Sequence, residues 1–384
     1  MLFFLLIFML LLYFSLHNQK YHIAATRFIF FVSIALVVLS GLRHKGVGND
    51  TYAYMMIYDN LRDITWSEVF EDFIRRFVAP MGNDEKDPGM LILIKILHFL
   101  QLDSRAYLFV VSSMVMIPLG RFVYNNSKKL ETVLFTYFFY VSLFYAYLPN
   151  SAIRQSVAFS FVLWAYLLFQ KNNLYLGILV IVIGALFHKS SLISLVIIPL
   201  LYVRNVKFWY IMSLLPFLFF LIFQETAVNF LVDGNEIYSG YGTGGYYTGN
   251  NQGKPFLVIL LISAFFYLGW ISCSKLEKTE MGIKTNLLIF GCALTFVLIP
   301  VVWVNPTALR IISYFAPCMA IIVGAVFSRI KWGRILFLFL LIVFLYKSIS
   351  SMDNYRFMWQ KMELHERYAE VIDVRKVYNN FIIT

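Results

Sequence analysis

Charge is scarce in this sequence: of 384 residues only 14% are Asp, Glu, Lys or Arg, and 60% are hydrophobic. Soluble domains carry about 25% charge and about 45 to 50% apolar residues, so a free-standing soluble enzyme is excluded. The mean hydropathy of +0.73 agrees. Cysteine is also sparse. Cys273, Cys292 and Cys318 lie within or at the end of apolar stretches, are odd in number and lack metal-ligand spacing. Neither a disulfide framework nor a zinc site follows from them. No alternation of apolar and polar residues runs along the chain, which removes a membrane β-barrel. No Gly-rich phosphate loop, paired Cys/His set or Ser-His-Asp candidate stands out.

What is abundant is long apolar runs. Read between charged and turn residues, they fall near 2–16, 25–41, 105–122, 132–149, 152–169, 174–187, 189–203, 207–223, 256–273, 284–303, 308–327 and 333–350. The expectation is an all-α, polytopic integral membrane protein with about twelve spans, forming one membrane domain over 1–384. The first run begins at the start Met with no basic leader or small-residue cleavage site, so it reads as a retained helix. Residues 89–101 form a run too short to cross, interrupted by Lys95 and His98, and read as an interfacial or re-entrant helix. The segments on either side of His188 are also short, as in tilted or broken spans.

The charge balance of +11 suggests a basic membrane face rather than nucleic-acid binding. Twelve spans place Lys20, Arg27, Arg121, Lys128, Lys129, Lys171, Arg204, Lys207, Lys275, Lys278, Lys284, Arg329, Lys331 and Arg334 on one side, against Glu131, Glu277 and Glu280. The other side is neutral in balance. The basic side is therefore expected to be cytoplasmic, with both termini and the long loops 42–88 and 224–255 outside. Loop 42–88 contains Trp66, Phe70, Phe73 and Phe77, as in a surface amphipathic helix. Loop 224–255 carries Tyr238, Tyr241, Tyr246 and Tyr247 between glycines. The tail 352–384 alternates charges with aromatics and reads as helical.

Ionisable residues near apolar spans mark function by default. Arg154 and Arg310 begin two spans at the outer face, His188 with Lys189, Ser190 and Ser191 breaks an apolar stretch, and Arg43 and Asp50 follow the second span. Each has an ordinary structural role open to it. The arginines can snorkel, Asp50 can cap a helix, Gly46 and Gly48 can shape a turn, and the tyrosines can form an aromatic belt. Their convergence on one face selects the functional reading. Guanidinium forks suit a diphosphate and the charge of a departing pyrophosphate. That inventory points to a metal-free transferase acting on a lipid-linked diphosphate, with no cofactor.

The stretches GLRHKGVGNDTYAY (Gly41 to Tyr54), NSAIRQSVAFSF (Asn150 to Phe161), ALFHKSSLI (Ala185 to Ile193) and ALRIISYF (Ala308 to Phe315) occur in order across most of the chain. DPGMLILIKIL, from Asp87, precedes the third span. Together they resemble the EpsG family of Wzy-type polysaccharide polymerases. The resemblance implies a GT-C-like bacterial inner-membrane enzyme that joins oligosaccharide repeat units carried on undecaprenyl diphosphate, as in O antigen, capsule or exopolysaccharide, with a chain-length regulator as a possible partner. It implies that Arg43, Arg154 and Arg310 hold diphosphate, that Gln155 and Tyr314 line the site, and that His188 or Asp50 is the base. Histidine titrates near neutrality, which favours His188, while Asp50 stays open. Tyr241 and its neighbours would stack on sugar rings. An O-antigen ligase or another GT-C glycosyltransferase is the nearest rival. A flippase would need charges along a path through the membrane, and an acyltransferase would need its site on the cytoplasmic face.

Overall fold

The computed structural model describes residues 2–48, 50–78, 88–145, 148–223, 226, 283–304, 309–329, 332, 335, 339–340 and 355–361. The span expected at 256–273, nearly all of the one expected at 333–350, the tyrosine loop with Tyr241, and the tail beyond Lys361 lie outside these residues. The described chain is helical: α1 (Leu2–Leu16), α2 (Tyr21–Gly41), α3 (Thr51–Asn60), α4 (Trp66–Val78), α5 (Gly89–Phe99), α6 (Ser104–Asn126), α7 (Leu130–Tyr140), α8 (Leu148–Ser151), α9 (Ile153–Phe169), α10 (Leu174–Ala185), α11 (Ile197–Leu201), α12 (Val206–Met212), α13 (Leu214–Ile222), α14 (Ile283–Val304) and α15 (Leu309–Phe327). Four stretches are long and apolar enough to cross a bilayer: Tyr21–Gly41, Ser104–Asn126, Ile283–Val301 and Arg310–Phe327. The protein is an all-α polytopic membrane protein.

Helix α5 has 11 residues and rises about 16 Å, half of what a crossing needs. It buries Met90, Leu91, Ile94 and Leu97 and leaves Phe99 exposed. Helix α4 is amphipathic, as expected of that loop. Trp66, Phe70 and Ile74, one turn apart, are exposed, while Asp72 pairs with Arg75 at 2.9 Å and Arg76 at 2.7 Å. A capping box starts it, with Thr65 N donating to Glu68 Oε2 at 2.7 Å and Glu68 N donating to Thr65 Oγ1 at 3.3 Å.

The core is the packing of α14 on α15, α9 on α10, α7 on α15, α2 on α6 and α6 on α9. At the α9–α10 seam a Cβ on Gly184 would sit 2.9 Å from Phe161 Cβ, so a hydrogen there lets the helices meet. Three helical segments are irregular. A π turn, Val141–Tyr145, follows α7; a 3₁₀ helix, Lys189–Val196, precedes α11; and α12 breaks into α13 at Ser213. Such departures inside apolar segments often mark functional sites or strain.

The two ends of the bundle differ chemically. At one end Lys284 Nζ donates to Asn125 O (2.5 Å), Gln170 Nε2 to Asn126 Oδ1 (2.9 Å) and Tyr21 OH to Ser127 O (2.7 Å). Thr132 and Ser328 meet there at 3.2 Å. These bonds bring together the segments that carry Lys20, Lys128, Lys129, Lys171, Lys284 and Arg329. The other end holds the starts of α9 and α15 and the turn after α10.

Candidate functional site

Helix α10 unwinds after Ala185. Phe187 N and His188 N both donate to Gly184 O, at 3.0 and 3.2 Å, and His188 then turns extended (φ −161°, ψ 111°) to open the 3₁₀ helix. Ser190 sets the local geometry, because a short hydroxyl side chain bonds to nearby groups in place of an α-helical turn. Its Oγ lies 2.6 Å from His188 Nδ1 and 3.0 Å from the hydroxyl of Tyr314, a fully buried side chain on α15. The start of α5 docks on this turn through Gly89 N donating to Leu186 O at 2.8 Å.

Arg154 and Arg310 stand in the first turns of α9 and α15, where the helix dipoles add to their charge. Burial first, and then the fields of Arg154 and Arg310, push the His188 pKa down to about 3, so its imidazole is neutral at physiological pH. Gln155, 1% exposed, ties the two helices together: its Nε2 donates to Arg310 O at 2.7 Å and Ser313 Oγ at 2.8 Å. That bond fixes the two arginine-bearing helix starts side by side. Gln155 thus positions the expected site through α15.

Arg43 belongs to a neighbouring corner. Helix α2 ends with carbonyls that have no intrahelical partner, and cations suit that end. Arg43 Nη1 donates to Ser40 O (2.5 Å) and Ser40 Oγ (2.6 Å), and Arg105 Nη1 donates to Gly41 O (3.2 Å) and Arg43 O (2.6 Å). Tyr355 OH donates to Leu39 O. The segment Tyr355–Lys361, expected to be helical, is instead a strap paired antiparallel with this turn. Met358 N donates to Leu42 O at 2.8 Å and His44 N to Arg356 O at 2.7 Å. An unpaired run of backbone groups at the α2 end is what the strap satisfies in place of forming its own helix.

Arg43 is wholly buried, which pushes its pKa down to about 10, still well charged at neutral pH. Its Nε donates to Thr51 Oγ1 (3.1 Å), and Thr51 Oγ1 donates to Asn150 O (2.9 Å), just before α9. Gly48 makes this contact possible, with φ +86° and a hypothetical Cβ only 1.7 Å from Asn150 O. Asp50 precedes α3 without capping it through its side chain. The two corners meet at Tyr107, a buried side chain on α6 within electrostatic reach of Arg43, Asp50 and Arg154.

The structure therefore brings His188, Arg154, Arg310, Gln155 and Tyr314 together, and sets Arg43 and Asp50 beside them across Tyr107. Arg105 and Tyr107 were not singled out from the sequence, since nothing local distinguishes an arginine that caps another helix or a tyrosine between two charged corners. Among the described residues no three His, Cys, Asp or Glu side chains form a metal-binding group.

A family model described as the EpsG family matches residues 26–362. The chain belongs to the EpsG family. Members of this family are Wzy-type-polymerase-like membrane proteins, and the four motifs that carry Arg43, Asp50, Arg154, His188 and Arg310 all lie inside the matched range. No curated protein and no solved structure matches the chain. The EpsG assignment makes this a membrane-embedded, polysaccharide polymerase-like protein with a glycosyltransferase-type activity.

Proposed function

We propose that this EpsG-family chain polymerises oligosaccharide repeat units carried on undecaprenyl diphosphate, at the outer face of a bacterial inner membrane. The observation that carries the reading is the neutral His188 turn flanked by Arg154 and Arg310 at two helix starts. Two guanidiniums and two helix N-termini suit a diphosphate that must be held and then released with more negative charge. The segments that carry Lys20, Lys128, Lys129, Lys171, Lys284 and Arg329 meet at the opposite end of the bundle, which supports an outward-facing site by the positive-inside rule.

In the proposed reaction a hydroxyl at the non-reducing end of one lipid-linked unit attacks the anomeric carbon of the chain on another. The new C–O bond forms as the bond to diphosphate breaks, and undecaprenyl diphosphate leaves with the bonding electrons. The hydroxyl proton passes to a base on the protein, for which Asp50 and His188 are the candidates among the described residues. Arg43, with Nε and Nη1 committed to Thr51 and Ser40, contributes chiefly by charge and by holding the loop that carries Asp50. Tyr241 would stack on sugar from the second long loop.

The test is deletion of the gene in its native host, with surface polysaccharide and lipid-linked intermediates resolved on a gel. A ladder that collapses to a single repeat unit, restored by the wild-type gene but not by a membrane-inserted Arg154→Ala or Arg310→Ala variant, is the expected result. An unchanged ladder refutes the polymerase. Full-length polymer that fails to reach its final attachment identifies a ligase instead.

A further inference from the structure

His188 and Asp50 are the two candidate bases among the described residues, and the surroundings of His188 decide between them. The imidazole sits at the end of a hydrogen-bonded chain, Tyr314 to Ser190 to His188, with links of 3.0 and 2.6 Å. A phenol is the more acidic hydroxyl and the better donor. With Tyr314 donating to Ser190 Oγ, the single Ser190 proton turns to His188 Nδ1. A neutral imidazole has one N–H, so the proton then resides on Nε2. In a hydrolase triad a carboxylate faces Nδ1, which frees Nε2 to accept a proton and stabilises the imidazolium. Here the partner is a hydroxyl.

The charges around the ring act in the same sense. Among the described residues the charged groups whose fields act on His188 are Arg154 from α9 and Arg310 from α15, both cationic. An imidazolium in that setting is disfavoured, whereas a neutral N–H beside two guanidiniums completes a set of donors for an anion.

We infer that His188 donates its Nε2–H to the departing diphosphate and does not take the acceptor proton, with Ser190 and Tyr314 as the positioning residues that fix this tautomer. The inference deepens the polymerase reading and rests on it for the identity of the anion. The anomeric C–O bond breaks toward the diphosphate, whose oxygen accepts hydrogen bonds from His188, Arg154 and Arg310. The attacking hydroxyl gives its proton to the Asp50 carboxylate, which shares the surroundings of Tyr107 with Arg154. His188 keeps its proton throughout.

Glutamine separates the two roles, because its side-chain amide donates from near the Nε2 position and has no basic nitrogen. In the deletion host, His188→Gln is expected to retain a ladder with polymerisation slowed by about tenfold, while His188→Ala loses about 10² to 10³ in rate, the usual cost of one oxyanion donor. A glutamine variant as inactive as alanine, at equal membrane level, overturns the inference. Nuclear magnetic resonance on full-length protein labelled with 15N-histidine gives an independent readout, with His188 assigned by its loss in His188→Gln. The expected spectrum is a neutral ring protonated on Nε2 from about pH 5 to 8. A ring protonated on Nδ1, or one that titrates in that interval, overturns the inference. Ser190→Ala should shift the tautomer balance toward Nδ1–H and Ser190→Thr should restore it; an unmoved spectrum in Ser190→Ala removes Ser190 from the proposal. If the wild-type gene restores no ladder, the polymerase reading fails, and the resonance measurement still decides the tautomer.

Discussion

Replacing Gly48 by alanine tests the coupling between the two corners of the site. The backbone there has φ +86°, where an L side chain costs about 1–2 kcal/mol. The added Cβ would lie 1.7 Å from Asn150 O and 3.1 Å from Thr51 Oγ1, so the loop and α8 must part by more than an ångström. Parting them breaks the 2.9 Å bond from Thr51 to Asn150 O, worth about 1 kcal/mol, and loosens the charged bond from Arg43 to Thr51, worth about 1.5–3 kcal/mol. The combined cost is about 3.5–6 kcal/mol in this part of the structure. Thermal unfolding of the purified protein in detergent should show an earlier transition, and the ladder should shorten or vanish. Gly48→Asn adds a discriminating arm, since asparagine tolerates positive φ but carries the same Cβ. Gly48→Ala with wild-type melting and a wild-type ladder refutes the argument. A benign asparagine beside a damaging alanine would leave backbone strain alone and dismiss the close contact.

Gln155→Glu turns a carboxylate toward Arg310 O, and should cost about 1–3 kcal/mol in unfolding while weakening polymerisation; equal melting would dismiss its role as the tie between α9 and α15. Arg105→Ala leaves Gly41 O and Arg43 O without their donor, with an expected loss of about 1–3 kcal/mol that Arg105→Lys recovers only in part, read by the same melting assay. Acidification gives a signed test. His188 is held near pKa 3 in the folded state and returns to about 6.5 when unfolded, so below pH 6.5 the unfolded chain takes up a proton that the native one refuses. Its contribution to stability should therefore fall by about 1.4 kcal/mol per pH unit as pH drops from 6.5 toward 3. The difference between wild type and His188→Gln across that window isolates it, and parallel curves would contradict the half-buried, doubly flanked histidine.

The spans were readable because a continuous apolar run is a signal that survives uncertainty in helix type. Hydropathy did not reveal that type. The run after His188 reads as one span from Lys189, yet it begins as a 3₁₀ helix because Ser190 bonds to the imidazole and to Tyr314. The short run beginning at Gly89 was readable as non-crossing from its length, but not the contact with Leu186 that brings it to the histidine turn. Arg154, His188 and Arg310 were legible as a group, since charge beside hydrocarbon is rare enough to be noticed. Arg43 was noticed for the same reason, although its commitments to Ser40 and Thr51 depend on where α2 stops and how the loop folds back. Arg105 and the strap at Tyr355 left no local pattern, because each serves carbonyls on a distant helix.

The strap carries a consequence for biogenesis. Tyr355 reaches Leu39 across 316 positions of sequence, and the pairing of residues 355–358 with the turn after α2 closes the corner that holds Arg43. A chain emerging from the ribosome inserts its second helix long before the partner for that turn exists. The Arg43 corner is thus sealed only after residues 355–358 have been made, and a chain terminated before them would carry its apolar helices into the bilayer with that corner open.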